Sequence, residues 1–111
     1  MKTTCEAYSE ACKGINIKEN ERIVLESKDS ESCCWFAKDV KGANIKAHEQ
    51  IILESKSYYY YCYNFARYVP ESNKEELFKV ILESEDRNWI NIFLEYVEFN
   101  KEKFINYLLF I

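Results

Sequence analysis

Apolar residues recur along this chain at helical spacing, and the stripe they form repeats. Cys33, Phe36, Ala37 and Val40 are spaced i, i+3, i+4, i+7; so are Cys62, Phe65, Ala66 and Val69, and again Ile90, Phe93, Leu94 and Val97. Ahead of each set stands an apolar triplet followed by Glu-Ser: Ile23-Val24-Leu25, Ile51-Ile52-Leu53 and Val80-Ile81-Leu82. A triplet needs partners on more than one side, so it predicts a first helix inside a stack, and the stripe predicts a second helix with one buried face. Residues able to accept hydrogen bonds from free backbone N–H groups stand at the expected starts: Asn16, Asn44 and Asn73 before the first helices, Asp29, Ser57 and Asp86 before the second. Asn16 with Glu19, and Asn73 with Glu76, have the capping-box spacing. Gly14 and Gly42 suit the turns that end the preceding helices.

The pattern has a period of 28 to 29 residues. KGINIKENERIVLESKDSESCCWFAKDV from Lys13 is answered by KGANIKAHEQIILESKSYYYYCYNFARYV from Lys41, and by PESNKEELFKVILESEDRNWINIFLEYV from Pro70. The predicted organisation is a half-unit over 1–12, units over 13–40, 41–69 and 70–97, and a capping helix over 98–111. In the half-unit, Cys5, Tyr8, Ser9 and Cys12 fall one period before Cys33, Phe36, Ala37 and Val40. Two helices of about ten residues cannot bury their faces alone, so the fold class expected is an all-α, short α-solenoid of HEAT-like helix-turn-helix units in a single domain.

Composition narrows the function classes. With two Gly and one Pro in 111 residues, glycine-rich phosphate loops and tight hairpins are not expected. Charged residues make up 31%, 19 acidic against 15 basic, interspersed and summing to −4, which is not the balance of a nucleic-acid binder. The excess of Glu over Asp and of Lys over Arg, with abundant Asn, Ile and Tyr, suggests an AT-rich genome. There is no leader with a small-residue cleavage site and no long charge-free apolar run, so a cytoplasmic protein is expected.

Five cysteines, Cys5, Cys12, Cys33, Cys34 and Cys62, are an odd number without a C-x2-C pair. Cys5, Cys33 and Cys62 share the repeat position that Ile90 fills, so they read as small core hydrophobes; neither metal nor cofactor is expected. Cys34, just off the stripe, is expected to be partly exposed and to be the thiol to test for reactivity. The single histidine, His48, stands where Asn20 and Leu77 stand in the other units, reads as half-buried, and has no nucleophile placed to complete a Cys-His or Ser-His arrangement, so an enzyme is not expected.

The tyrosines Tyr58, Tyr59, Tyr60, Tyr61 and Tyr63 point around more than a full helical turn and cannot all be core. The register turns Tyr58 and Tyr61 inward, and turns Tyr60 and Tyr63 outward with Asn64 and Arg67. Stacking then places Cys34, Trp35 and Lys38 on one side of them and Asn91, Ile92 and Glu95 on the other. The expected partner-binding ridge is Trp35, Lys38, Tyr60, Tyr63, Arg67 and Ile92, aromatic side chains beside cations. Such a mixture also stacks bases, but Glu19, Glu21, Glu26, Glu31, Glu49, Glu54 and Glu83 count against direct nucleic-acid binding. The C-terminal stretch is apolar nearly all round, so Phe104, Leu108 and Ile111 are candidates for the interface of a homodimer.

The KGANIK, IILESK and FAKDV-like strings resemble a family of short helical tandem repeats found in proteins of bacteriophages, giant viruses and low-GC bacteria, over roughly Cys5 to Val97. The resemblance implies a HEAT-like stack used for protein contacts and carries no catalytic residues. In size and origin such phage proteins resemble inhibitors of bacterial defence nucleases, which makes an anti-CRISPR-like inhibitor of a nuclease effector complex the expected function, with a self-assembling scaffold as the alternative. The third unit departs from the pattern at Pro70-Glu71, and the second in its tyrosines.

Overall fold

A computed structural model describes residues 2–55 and 59–108. Every regular element among them is helical: α1 Thr4–Cys12, α2 Ile17–Ser27, α3 Ser30–Asp39, α4 Ile45–Ser55, α5 Tyr59–Tyr68, α6 Lys74–Ser84 and α7 Arg87–Tyr96, then a 3-10 turn Glu102–Phe104 and a single turn, α8, Ile105–Leu108. The pairs α2/α3, α4/α5 and α6/α7 fall in the three copies of the repeat. The second helices pack in a row, α1 on α3, α3 on α5 and α5 on α7, while α2 packs on α4 and α4 on α6. The result is a short helical stack measuring 49 × 22 × 17 Å.

The recurring residues explain the recurring turns. Val24, Ile52 and Ile81, the central members of the triplets, are buried, and the residues on either side are half-buried. In the first and third units the Ser that follows the triplet brackets the turn to the second helix. The Ser27 hydroxyl donates to the Val24 carbonyl and accepts from the Asp29 N–H, and Ser84 does the same between Ile81 and Asp86. Asp29 and Asp86 then accept from the first N–H groups of α3 and α7; Ser57 lies outside the described residues. Gly14 and Gly42 adopt φ of +79° and +88°, the left-handed region that an L side chain enters only with strain.

The first helices are started differently from what local spacing predicts. Asn44 and Asn73 accept from the N–H three residues on, at Ala47 and Glu76. Their own N–H groups are taken by carboxylates of the preceding unit: Glu21 Oε2 lies 2.6 Å from Asn44 N, and Glu49 Oε2 lies 2.6 Å from Asn73 N. The capping box is thus completed across the unit boundary. Glu76, expected to close it locally, pairs instead with Lys79, and Glu19 pairs with Arg22. Asn16, preceded among the described elements by α1, sits in the left-handed region and makes no side-chain cap; the box expected there does not form.

The repeat position of Glu21 and Glu49 is Phe78 in the third unit, which is followed among the described residues by the 3-10 turn and α8. Its ring lies 4.9 Å from those of Phe99 and Phe104 and 5.1 Å from that of Phe93. This aromatic knot closes the end of the stack. The capping helix expected over 98–111 begins later than that: the chain is irregular from Val97 to Lys101 before its 3-10 turn, where the Asn100 side chain accepts from the Glu102 N–H.

α1 corrects the register of the half-unit. Thr3 caps it as Asp29 caps α3, and Ala7, Tyr8 and Ala11 take the places of Cys33, Cys34 and Ala37. Cys5 and Cys12 therefore face solvent. Small side chains at Ala7 and Ala11 let α1 lie close on α2 and α3, and they carry the stripe that the cysteines suggested.

Candidate functional site

The second helices carry most of the large hydrophobic side chains left exposed among the described residues. Among the described residues, six large hydrophobic side chains stay exposed, and four of them, Trp35, Tyr60, Tyr68 and Tyr96, belong to α3, α5 and α7. Contacts across the unit boundaries join them into one surface. Tyr8 and Trp35 rings lie 6.1 Å apart, Tyr60 lies 6.1 Å from Trp89, the Lys38 ammonium lies 5.6 Å from the Tyr68 ring, and the Arg67 guanidinium lies 5.1 Å from Tyr68 and 5.0 Å from Tyr96. Trp35, Lys38, Tyr60, Asn64 and Tyr68 line a recess of about 230 Å³ with Cys34 at its floor.

Trp35, Lys38, Tyr60 and Arg67 are exposed where the sequence puts them. Tyr63 is not. It is 7% exposed, its ring 6.1 Å from Trp89 of the next unit and its hydroxyl accepting from Arg67 Nη1 at 2.6 Å, so it holds the ridge from beneath. Ile92 is half-buried and packs against the core. Tyr61 is half-buried, its hydroxyl donating to Glu31 of the preceding unit, and Tyr58 lies outside the described residues. Tyr68 and Tyr96 were missed in the sequence, yet a signal is there: each immediately precedes the buried Val that ends its unit, and the neighbour of a buried helix-end residue points outward.

A second, larger recess of about 540 Å³ lies between α1 and α3, lined by Cys5, Tyr8, Cys12, Glu31 and Trp35 among others. The Tyr8 hydroxyl donates to Asp39, and burial together with that carboxylate raises the phenol's pKa.

Cys34 is not the exposed thiol expected. It is 2% exposed because α5 packs against this side of α3, and burial pushes its pKa up to about 12, with only Lys38 opposing. Cys33 and Cys62 are buried as expected, each thiol 4.0 Å from a carbonyl of the preceding helix, Val24 and Ile52, and both are pushed up to about 12 by burial. No group of three His, Cys, Asp or Glu side chains able to hold a metal ion occurs among the described residues.

His48 is fully buried rather than half-buried, stacked 5.0 Å from Phe36. Its Nε2 lies 2.9 Å from the same Glu21 oxygen that accepts from Asn44, while Nδ1 has no partner. Burial lowers its pKa, against the raising effect of Glu21. Asn20, at the same repeat position, is also fully buried, accepting from Lys2 and donating to the Ile15 carbonyl. Through Glu21, the buried imidazole and the Asn44 N–H join one unit to the next.

At the C-terminus, Phe104 is 4% exposed inside the aromatic knot, so it is not free to meet a second chain. The Leu108 side chain and Ile111 lie outside the described residues. No helix among the described residues is long and apolar enough to cross a membrane. No family model, curated protein or solved structure matches this chain.

Proposed function

We propose that this chain is a non-enzymatic repeat protein that binds another protein through the aromatic and cationic face of α3, α5 and α7. The observation that carries the reading is the gathering of Trp35, Tyr60, Tyr68 and Tyr96 on that face beside Lys38 and Arg67. Aromatic residues and Arg are enriched in the centres of protein interfaces, where they give much area for little lost freedom. The buried state of His48 and of three thiols supports a non-catalytic reading.

The concrete form we propose is a phage-encoded inhibitor of a bacterial defence complex such as a CRISPR nuclease effector, acting in the host cytoplasm. What supports it is the likeness of the repeat strings to viral helical repeats. Affinity capture from a low-GC bacterial lysate, followed by mass spectrometry, tests it. The expected result is an effector subunit retained by the native chain and lost with Trp35→Ala/Tyr68→Ala. An unchanged protein profile with that double variant sinks the assignment of the face. Self-assembly through residues 104–111 is the competing reading, and it loses Phe104 as a contact. A monomeric mass by light scattering at high concentration removes it.

A further inference from the structure

We infer that the recess between α1 and α3 is a binding site for a small organic cation, an ammonium carried on an apolar body. The inference goes beyond the protein-binding reading and does not rest on it.

The recess is made by the sequence of α1. With Thr3 in the place of Asp29, the residues Cys5, Ser9 and Cys12 stand on α1 where α3 has Glu31, Trp35 and Lys38 and α5 has Tyr60, Asn64 and Arg67. Three small side chains replace longer ones, and a space of about 540 Å³ is left beside Trp35. Pockets for small ligands run from roughly 300 to 1,000 Å³, so the space is of ligand size.

Two independent features of the lining point to the same ligand. The first is aromatic. Tyr8 from α1 and Trp35 from α3 both line the recess, their rings 6.1 Å apart, and Trp35 stays 47% exposed with ring surface to offer. The face of such a ring attracts an ammonium by about 0.5–2 kcal/mol, more as water is excluded.

The second feature is charge. Asp29 and Glu31 line the recess, and among the described residues no Lys, Arg or His does. The recesses that contain Gly42, Phe104 and Tyr68 each include a lysine, so the acidic lining sets this one apart from them. Asp29 accepts at Oδ2 from the N–H and hydroxyl of Ser32, and Glu31 accepts at Oε2 from the Tyr61 hydroxyl. The other oxygen of each takes no hydrogen bond among the described residues, and neither carboxylate has a cationic side chain as partner there. An ionised carboxylate accepts at both oxygens, so each keeps capacity for a donor. A phosphate or other anion would meet two like charges here, and a neutral apolar ligand would strip water from both carboxylates without replacing it. An ammonium on an apolar body serves rings and carboxylates together.

The test reads Trp35 emission in the full chain carrying Trp89→Phe, which leaves Trp35 as the sole indole. The probes are phenethylamine, the neutral 2-phenylethanol of similar shape, the anion 3-phenylpropionate, and Nα-acetyl-lysine methylamide, whose ammonium sits on a flexible stem as in a partner's side chain. Phenethylamine is expected to change the emission saturably, 2-phenylethanol to bind roughly tenfold more weakly, and 3-phenylpropionate more weakly still. The double variant Asp29→Asn/Glu31→Gln is expected to weaken phenethylamine roughly tenfold; Asn caps a helix about as well as Asp, so α3 keeps its start. Ser9→Phe, at an exposed position of the α1 wall, is expected to fill the recess and abolish binding. No saturable change with the amine, equal binding of the alcohol or the acid, no loss in the double variant, or binding retained in Ser9→Phe overturns the cation site. Tighter binding of the blocked lysine than of phenethylamine overturns the small-ligand reading in favour of a partner's side chain.

Discussion

Removing the Glu21 carboxylate is the sharpest perturbation of the link between units. Its Oε2 accepts from Asn44 N at 2.6 Å and from His48 Nε2 at 2.9 Å, and the side chain is 12% exposed. A hydrogen bond to a charged group contributes about 1.5–3 kcal/mol net, so two would give an upper bound of about 3–6 kcal/mol. The real loss in Glu21→Ala is smaller, because Asn44 is exposed and water replaces the carboxylate there. His48 is fully buried, already lacks a partner at Nδ1, and would be left with both ring nitrogens unpaired at a cost of about 1–3 kcal/mol. The expected loss is about 2–3 kcal/mol, read as a lowered urea midpoint at unchanged m-value. The decisive measurement is a double-mutant cycle with His48→Leu, the residue that Leu77 supplies in the next unit. Glu21→Ala should cost at least about 1 kcal/mol less in that background. A loss below about 0.5 kcal/mol, or additive effects within error, would refute the clasp.

Three further outcomes are expected. Burial holds the His48 imidazole neutral below its ordinary value of 6.5 while the unfolded chain protonates there, so stability should fall as pH drops through 6.5, by at most about 1.4 kcal/mol per pH unit; His48→Leu should flatten urea midpoints between about pH 5 and 7. Thiol labelling under native conditions should modify Cys5 and Cys12 only, with Cys33, Cys34 and Cys62 reacting after unfolding, and a native mass increase at Cys34 would contradict its burial. Phe78→Ala should cost about 3–5 kcal/mol by hollowing the terminal knot, and a thermal midpoint within a degree or two of the native chain would show that the knot does not hold the end of the stack.

The second helices were legible because their buried positions recur, and a buried position tolerates few alternatives: Cys33, Cys62 and Ile90 differ in chemistry and agree in burial. Register failed at α1, where matching cysteines drew the eye and the small residues Ala7 and Ala11 fill the core. The capping of Asn44 and Asn73 was hidden for another reason, since each donor's partner lies more than twenty residues earlier, and at Asn73 local spacing offers the nearer Glu76. On the binding face, Trp35, Tyr60, Lys38 and Arg67 were read correctly as exposed from single-helix geometry. Tyr63 and Cys34 were not, because what covers them belongs to a neighbouring helix that a helical wheel does not contain.

The clasp gives the stack a direction that bears on how it can grow. Unit 41–69 alone both receives a carboxylate at Asn44 and offers one at Glu49. A tandem duplication of that stretch would carry plug and socket together and extend the rod without altering any junction. Duplicating 70–97 instead would bury the Phe78 stopper in mid-chain and leave the next Asn without its carboxylate. Among the described units, then, 41–69 is the one that can be repeated with its links intact.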